Sequence, residues 1–262
     1  MSPAAEWIAA HAMSLWGLLL LLALLAGDSA WHYSARWHRR AASEGRTPTV
    51  LRWQTGLILL VALVGLFLAI AFAIGGEQAG RINGIDIGLA ESLRAQLALP
   101  LLRVIAGVTH LGDLQWVAPA AIVVAATLLL RRHWRLLGVW LVALIGILPI
   151  NGSLKALFQR VRPLHDHGFV IEPGWSFPSG HAFGSMVFYG MLAYVLLRLL
   201  PPRFHRIVIA AAVLLVGTVG ISRVLLQVHY LSDVIAGYAA GAAWLVLCIA
   251  IAERAVASLP RK

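Results

Sequence analysis

Cysteine is nearly absent from this chain. Its single thiol, Cys248, leaves no partner for an intrachain disulfide, and its apolar surroundings suit a buried structural thiol. Charge is almost as scarce: Asp, Glu, Lys and Arg together make up 12% of the 262 residues, and 60% are hydrophobic. With a mean hydropathy of +0.83, a soluble domain would expose too much hydrocarbon to stay in water. The chain has 11 acidic residues against 21 Lys and Arg. That excess suggests nucleic acid until its distribution is read; the cations sit between hydrophobic runs, so no nucleic-acid partner is expected.

Those runs mark an all-α, polytopic membrane protein. Hydrophobic segments lie near 7–27, 54–76, 115–130, 136–154, 181–200, 207–222 and 233–252, each near the length that crosses a bilayer as a helix. The expected architecture is a six-helix core plus an extra N-terminal span. It divides into 1–53 (first span and basic loop), 54–252 (core) and 253–262 (tail). No cationic n-region precedes the first run, which opens with Glu6 and His11, so a cleaved signal fits poorly. A span with its N-terminus outside fits better, an interfacial or re-entrant segment being the alternative.

The linkers alternate in charge. Those at 28–53, 131–135 and 198–206, with the tail, hold Arg36, Arg39, Arg40, Arg46, Arg52, Arg131, Arg132, Arg135, Arg198, Arg203, Arg206, Arg254, Arg261 and Lys262. By the positive-inside rule these face the cytoplasm. The opposite face then carries three polar islands: Lys155 with Arg162-Pro163, then Pro178-Ser179-Gly180-His181, then Ser222-Arg223 with His229 and Asp233. An even number of crossings separates the islands, so the topology permits one shared site.

Their side chains form a phosphate-handling set. Phosphoryl transfer chiefly needs positioning and stabilisation of charge on the transferring oxygens. Lys155, Arg162 and Arg223 offer cations, arginine in two-pronged fashion. Ser179 and Gly180 precede a long hydrophobic helix and offer a hydroxyl and free backbone amides at its positive end. One histidine must be neutral to attack phosphorus and the other protonated to release the leaving oxygen. The residues alone leave these roles exchangeable. Asp233, four residues after His229, favours His229 as nucleophile if the segment is helical and both side chains share a face. His181, with no acid nearby in sequence, suits the general acid.

The spacing resembles the type 2 phosphatidic acid phosphatase superfamily, which includes the vanadium haloperoxidases. Lys155, Arg162, Pro163, Pro178, Ser179, Gly180, His181, Ser222, Arg223, His229 and Asp233 match its three motifs in order, the resemblance covering roughly 54–252. Family members often carry Pro where Leu231 stands, and bacterial members usually have six helices. The resemblance implies a phosphatase without metal or cofactor, working through a phosphohistidine. His229 would be nucleophile, Asp233 its partner and His181 the acid; Lys155, Arg162, Ser179, Gly180 and Arg223 would bind phosphate. Its implied substrate is a lipid phosphate or pyrophosphate in the bilayer of the bacterial inner membrane, met on the periplasmic or external face. Undecaprenyl pyrophosphate is favoured over phosphatidylglycerol phosphate, phosphatidic acid and lipid A phosphates. A lipid phosphotransferase using the same intermediate is the first alternative, a transporter or structural protein with a retired site the second.

Other features receive plainer readings. Leu89, Leu93 and Leu97 recur at helical spacing with Glu91, Arg94 and Gln96 between them, predicting an amphipathic helix ended near Pro100. It either flanks the mouth of the site or serves as a packed connector. Gly237 and Gly241 form a small-xxx-small pair suited to close helix packing. Trp53, Trp116 and Trp175 suit the membrane interface. His165-Asp166-His167 makes a poor metal site for want of further ligands, though its position permits head-group contact. Arg160 is close enough to the site to assist, a surface role being the favoured reading.

Overall fold

The computed structural model describes residues 3–43, 49–76, 79–164 and 167–257. Among these, every regular element is helical: α1 (Pro3–Ala10), α2 (Ala12–Ser43), α3 (Trp53–Gly75), α4 (Ala79–Gln96), α5 (Leu99–Thr109), α6 (Leu114–Leu130), α7 (Trp134–Ile145), α8 (Ile147–Phe158), α9 (Gly180–Leu199), α10 (His205–Leu225) and α11 (Leu231–Ala257). Seven helical runs among the described residues are long and apolar enough to cross a membrane: Ala12–Arg36, Trp53–Gly75, Leu99–Leu130, Trp134–Phe158, Gly180–Leu199, Pro202–Leu225 and Leu231–Arg254. Phe72, Leu130 and Ile145 point outward from this bundle, each at least 70% exposed. Side chains of that size belong against lipid.

The chain is thus a transmembrane helical bundle with seven candidate spans, as expected, and the edges of three readings shift. The first span begins at Ala12, because the chain breaks at His11 and α1 folds back onto α4, where Gln96 Nε2 donates to the Glu6 carbonyl. The amphipathic helix ends at Gln96, and Pro100 stands in the first turn of α5, where its missing N–H costs nothing. The Leu99–Leu130 run is broken by a 3₁₀ turn at His110–Gly112, which leaves Asp113 at the bundle end that carries the polar islands.

Helix α9 occupies the centre, with Ala182, Phe183, Val187 and Met191 fully buried. Ser179 is its N-cap, the hydroxyl accepting from Ala182 N, and Pro201-Pro202 prevents its continuation. Its neighbour α11 crosses it closely through the predicted glycine pair. A Cβ at Gly237 would lie 2.7 Å from the Ser179 carbonyl, and one at Gly241 would lie 2.8 Å from the Phe183 carbonyl. In lipid, helices gain little from hydrophobic exclusion, so such close backbone contact supplies much of the packing. Here it also sets the start of α9 beside the start of α11.

Candidate active site

The turn 226–230 between α10 and α11 holds His229, and the 159–179 loop between α8 and α9 folds over it. Among its described residues this loop forms no regular secondary structure, and loops of such length are usually functional. Arg162 ties the two together. Its Nε donates to the Gly174 carbonyl at 3.0 Å and its Nη2 to that of Trp175 at 3.2 Å, while Nη1 reaches the Val228 carbonyl at 2.8 Å. The same Nη1 lies 2.9 Å from His229 Nε2. A guanidinium only donates, so Nε2 carries the lone pair and Nδ1 the proton. Burial pushes the His229 imidazole down to about 3 against the pull of Asp233, with Arg162 and Arg223 adding to the depression. His229 therefore stands neutral, its Nε2 lone pair turned toward Arg162, one of the predicted phosphate ligands.

Asp233 faces the other side of the ring by a different route from the one expected. His229 precedes α11, so the two residues share no helical face. Asp233 instead reaches back from the first turn of α11 to the N–H of Tyr230 at 2.9 Å, as the acidic member of a capping box does. Its Oδ2 lies 3.6 Å from His229 Nδ1. Ser176 fills that gap: its hydroxyl donates to Asp233 Oδ2 at 2.5 Å and lies 3.3 Å from Nδ1. Ser176 is fully buried, and nothing in its sequence context marks it.

Arg160 corrects a second reading. It is no surface cation. It donates to Asp233 Oδ1 at 2.6 Å, Ser232 Oγ at 2.7 Å, Asn83 Oδ1 at 2.7 Å and Asp86 Oδ2 at 2.8 Å, and stacks on the Tyr230 ring. Burial alone would lower its pKa, but the charges of Asp233 and Asp86 outweigh that and raise it. Through Asp86, helix α4 is built into the support of Asp233.

His181 is likewise not without an acid. Across 68 residues of sequence, Asp113 Oδ1 accepts from its Nε2 at 2.6 Å, leaving Nδ1 toward Glu172 at 3.8 Å. Gly112 makes room for the ring; a Cβ there would stand 2.8 Å from His181 Cδ2. Glu172, from the 159–179 loop, sits among the predicted phosphate ligands. Its carboxylate contacts Arg223 Nη2 and lies 3.9 Å from Arg162 Nη2. Burial would raise its pKa, yet Arg223, His181 and Arg162 hold it below the usual carboxylate range.

The remaining predicted residues belong to the same cluster. Arg223 is fully buried, its Nη1 donating to Thr109 Oγ1 at 2.9 Å and its Nε finding no partner among the described residues. Lys155, half-buried in the last turn of α8, makes no ion pair among the described residues and has Arg162, Glu172, Asp233 and Arg223 as electrostatic neighbours. Ser179 N donates to the Asp233 carbonyl at 3.0 Å, binding the second island to the third. Asn151, one turn before Lys155, lies against Gly180 with its buried Nδ2 unpartnered. Of the triplet at 165–167, His165 and Asp166 lie outside the described residues. His167 spends both ring nitrogens on backbone, Nε2 on the Leu226 carbonyl and Nδ1 on Phe169 N.

This arrangement gathers three cations, a helix N-terminus and two oriented imidazoles at one end of the bundle. The description "PAP2 superfamily" belongs to the family model that matches residues 134–257. Phosphatidylglycerophosphatase B of Bacillus subtilis is 32% identical over 69% of this chain and 88% of that protein. A lipid A 1-phosphatase of Rhizobium johnstonii is 41% identical over 37% of this chain and 40% of its own length. The crystal structure of a transmembrane PAP2 type phosphatidylglycerolphosphate phosphatase from Bacillus subtilis superposes with a TM-score of 0.68 at 30% identity, over 74% of this chain and 96% of that one. The chain belongs to the PAP2 superfamily.

Proposed function

We propose that this protein hydrolyses a phosphate or pyrophosphate group from a membrane lipid through a phosphohistidine on His229. Family membership and phosphatase-named relatives support the class, a lipid phosphate hydrolase. The observation that carries the mechanism is the 2.9 Å approach of Arg162 Nη1 to the unprotonated Nε2 of His229. In the proposed reaction Lys155, Arg162, Arg223, the Ser179 hydroxyl and the amides of Gly180 and His181 hold the phosphoryl oxygens. The Nε2 lone pair attacks phosphorus as the bond to the leaving oxygen breaks, and His181 Nδ1–H delivers its proton to that oxygen. The positive charge arising on His229 is met through Nδ1–H by Ser176 and Asp233. Water then attacks the phosphohistidine, gives its proton to His181 and frees inorganic phosphate.

Two lipids lead the substrate list for different reasons. The motif resemblance favours undecaprenyl pyrophosphate, whereas the relative matched over 88% of its length is a phosphatidylglycerophosphatase. The arginine-rich loops support an inner-membrane setting with the site on the periplasmic or external face. The test is phosphate release by purified protein from undecaprenyl pyrophosphate, phosphatidylglycerol phosphate, phosphatidic acid and lipid A, without acceptor. Turnover should survive EDTA, fall with vanadate, and vanish in His229→Ala and His181→Ala. Activity unchanged in those variants, or strict dependence on a divalent metal, overturns the mechanism; dependence on an acceptor lipid replaces hydrolysis with transfer.

A further inference from the structure

At the other end of the bundle lies a groove of about 810 Å³ that the chemistry does not use. At about 1.5 Å of rise per residue, its rim at Arg198 lies roughly 26 Å along α9 from His181, and its wall at Trp244 roughly 16 Å along α11 from Asp233. Its walls come from α7, α9 and α11; α7 and α11 touch where the Trp244 ring rests on Gly146 and donates to the Ala143 carbonyl at 2.9 Å. A Cβ at Gly138 on the same wall would meet no atom within 4 Å. The interior is hydrocarbon: Val139, Val142, Leu247 and Ile251 line it, with Cys248. Such a lining suits an acyl chain and offers a polar ligand nothing to bond.

The rim differs sharply. Arg132, Arg135 and Arg198 stand at the open end with His133. Glu253, the nearby carboxylate, already accepts from Tyr194 Oη at 2.7 Å and Val50 N at 3.0 Å, and lies 3.6 Å from Arg198. Among the described residues no carboxylate pairs with Arg132 or Arg135. No side chain caps the first turn of α7, whose N–H groups open beside them. Arg132 occupies the left-handed region, φ 57°, in the tight α6–α7 turn, so its place at the mouth is set by the backbone.

We propose that this groove binds an anionic phospholipid of the leaflet opposite the phosphate site, one acyl chain in the cleft and the headgroup phosphate on Arg132 and Arg135. Charge complementarity selects the occupant. A zwitterionic lipid fills the apolar wall equally well but returns little for two unpaired guanidinium groups, each worth about 1 kcal/mol toward an anionic surface.

Native mass spectrometry of the detergent-purified full chain tests this with dioleoyl-phosphatidylglycerol and dioleoyl-phosphatidylcholine at equal concentration. Retention should favour phosphatidylglycerol by at least about fivefold, up to the roughly 30-fold that two such contacts give. The preference should fall below about twofold in Arg132→Gln/Arg135→Gln and persist in the neighbouring Arg131→Gln. Phosphate release should be unchanged in both variants, reporting an intact fold. The lone thiol localises the effect: Cys248 should react more slowly with an apolar maleimide in phosphatidylglycerol nanodiscs than in phosphatidylcholine ones, and this difference too should vanish in the double variant. Equal retention of the two lipids, or a preference that survives Arg132→Gln/Arg135→Gln, overturns the proposal.

Discussion

Removing the Ser176 hydroxyl should slow the reaction without weakening phosphate binding. Ser176 touches no cation of the phosphate site; it joins Asp233 Oδ2 at 2.5 Å to His229 Nδ1 at 3.3 Å. In Ser176→Ala the ring and the carboxylate face each other across 3.6 Å, more than half an ångström beyond a normal N–H···O bond. The gap cannot close freely, because Asp233 is held by Tyr230 N, by Arg160 and by the bond from Ser179 N to its carbonyl. A hydrogen bond to a charged group contributes about 1.5–3 kcal/mol, and this one strengthens as His229 becomes positive. That corresponds to a fall in kcat of roughly 10- to 150-fold, with KM within about twofold. Initial rates of phosphate release give both constants. Because Ser176 acts through Asp233, the same substitution in an Asp233→Asn background should cost much less. A kcat within twofold of wild type for Ser176→Ala, or full additivity with Asp233→Asn, refutes the bridge.

Arg160→Gln leaves Asp233 and Asp86 buried without their cation, a break that costs about 3–5 kcal/mol in comparable pairs; the melting temperature should drop well below wild type, and Asp86→Asn should restore part of it. Identical melting would remove Arg160 from the support of the site. Glu172→Gln deletes the carboxylate that occupies the phosphate cations. At an effective dielectric near 20 a pair about 4 Å apart is worth about 4 kcal/mol, most of it recovered when phosphate takes its place, so vanadate should inhibit about tenfold more tightly; weaker inhibition would mean that Glu172 chiefly orients Arg223. Burial holds folded His229 down to about 3, while the unfolded imidazole takes up a proton near 6.5. The unfolded state therefore binds more protons between those values. Stability from this group is complete above pH 6.5 and is lost as pH falls toward 3. Melting curves from pH 8 to 4.5 should fall more steeply for wild type than for His229→Gln, and equal slopes would contradict the neutral, buried assignment.

The histidines show where sequence reading works and where it stops. That His229 needs Asp233 was legible from their spacing, but the helical face assumed for them does not exist: the pair meets across a helix cap. Asp113 is invisible as a partner of His181 because a broken span and 68 residues separate them. Arg160 looked like a loop cation because its counter-ions come from α4 and α11, and Ser176 carries no pattern at all. By contrast Gly237 and Gly241 read correctly as close-packing residues, since the geometry they permit depends on their own missing Cβ atoms.

By itself the sequence determined the membrane setting, the helical class and the phosphate-handling inventory. Each follows from local quantities: apolar length against bilayer thickness, charge per loop, and residue types at short spacing. Only the tertiary structure decided which acid stands beside which histidine, that Glu172 pairs with Arg223 beside Arg162, and that arginines rim a lipid-sized groove at the far end. Those depend on distances between segments far apart in the chain, fixed by how closely α9 and α11 cross and by how the 159–179 loop folds over them.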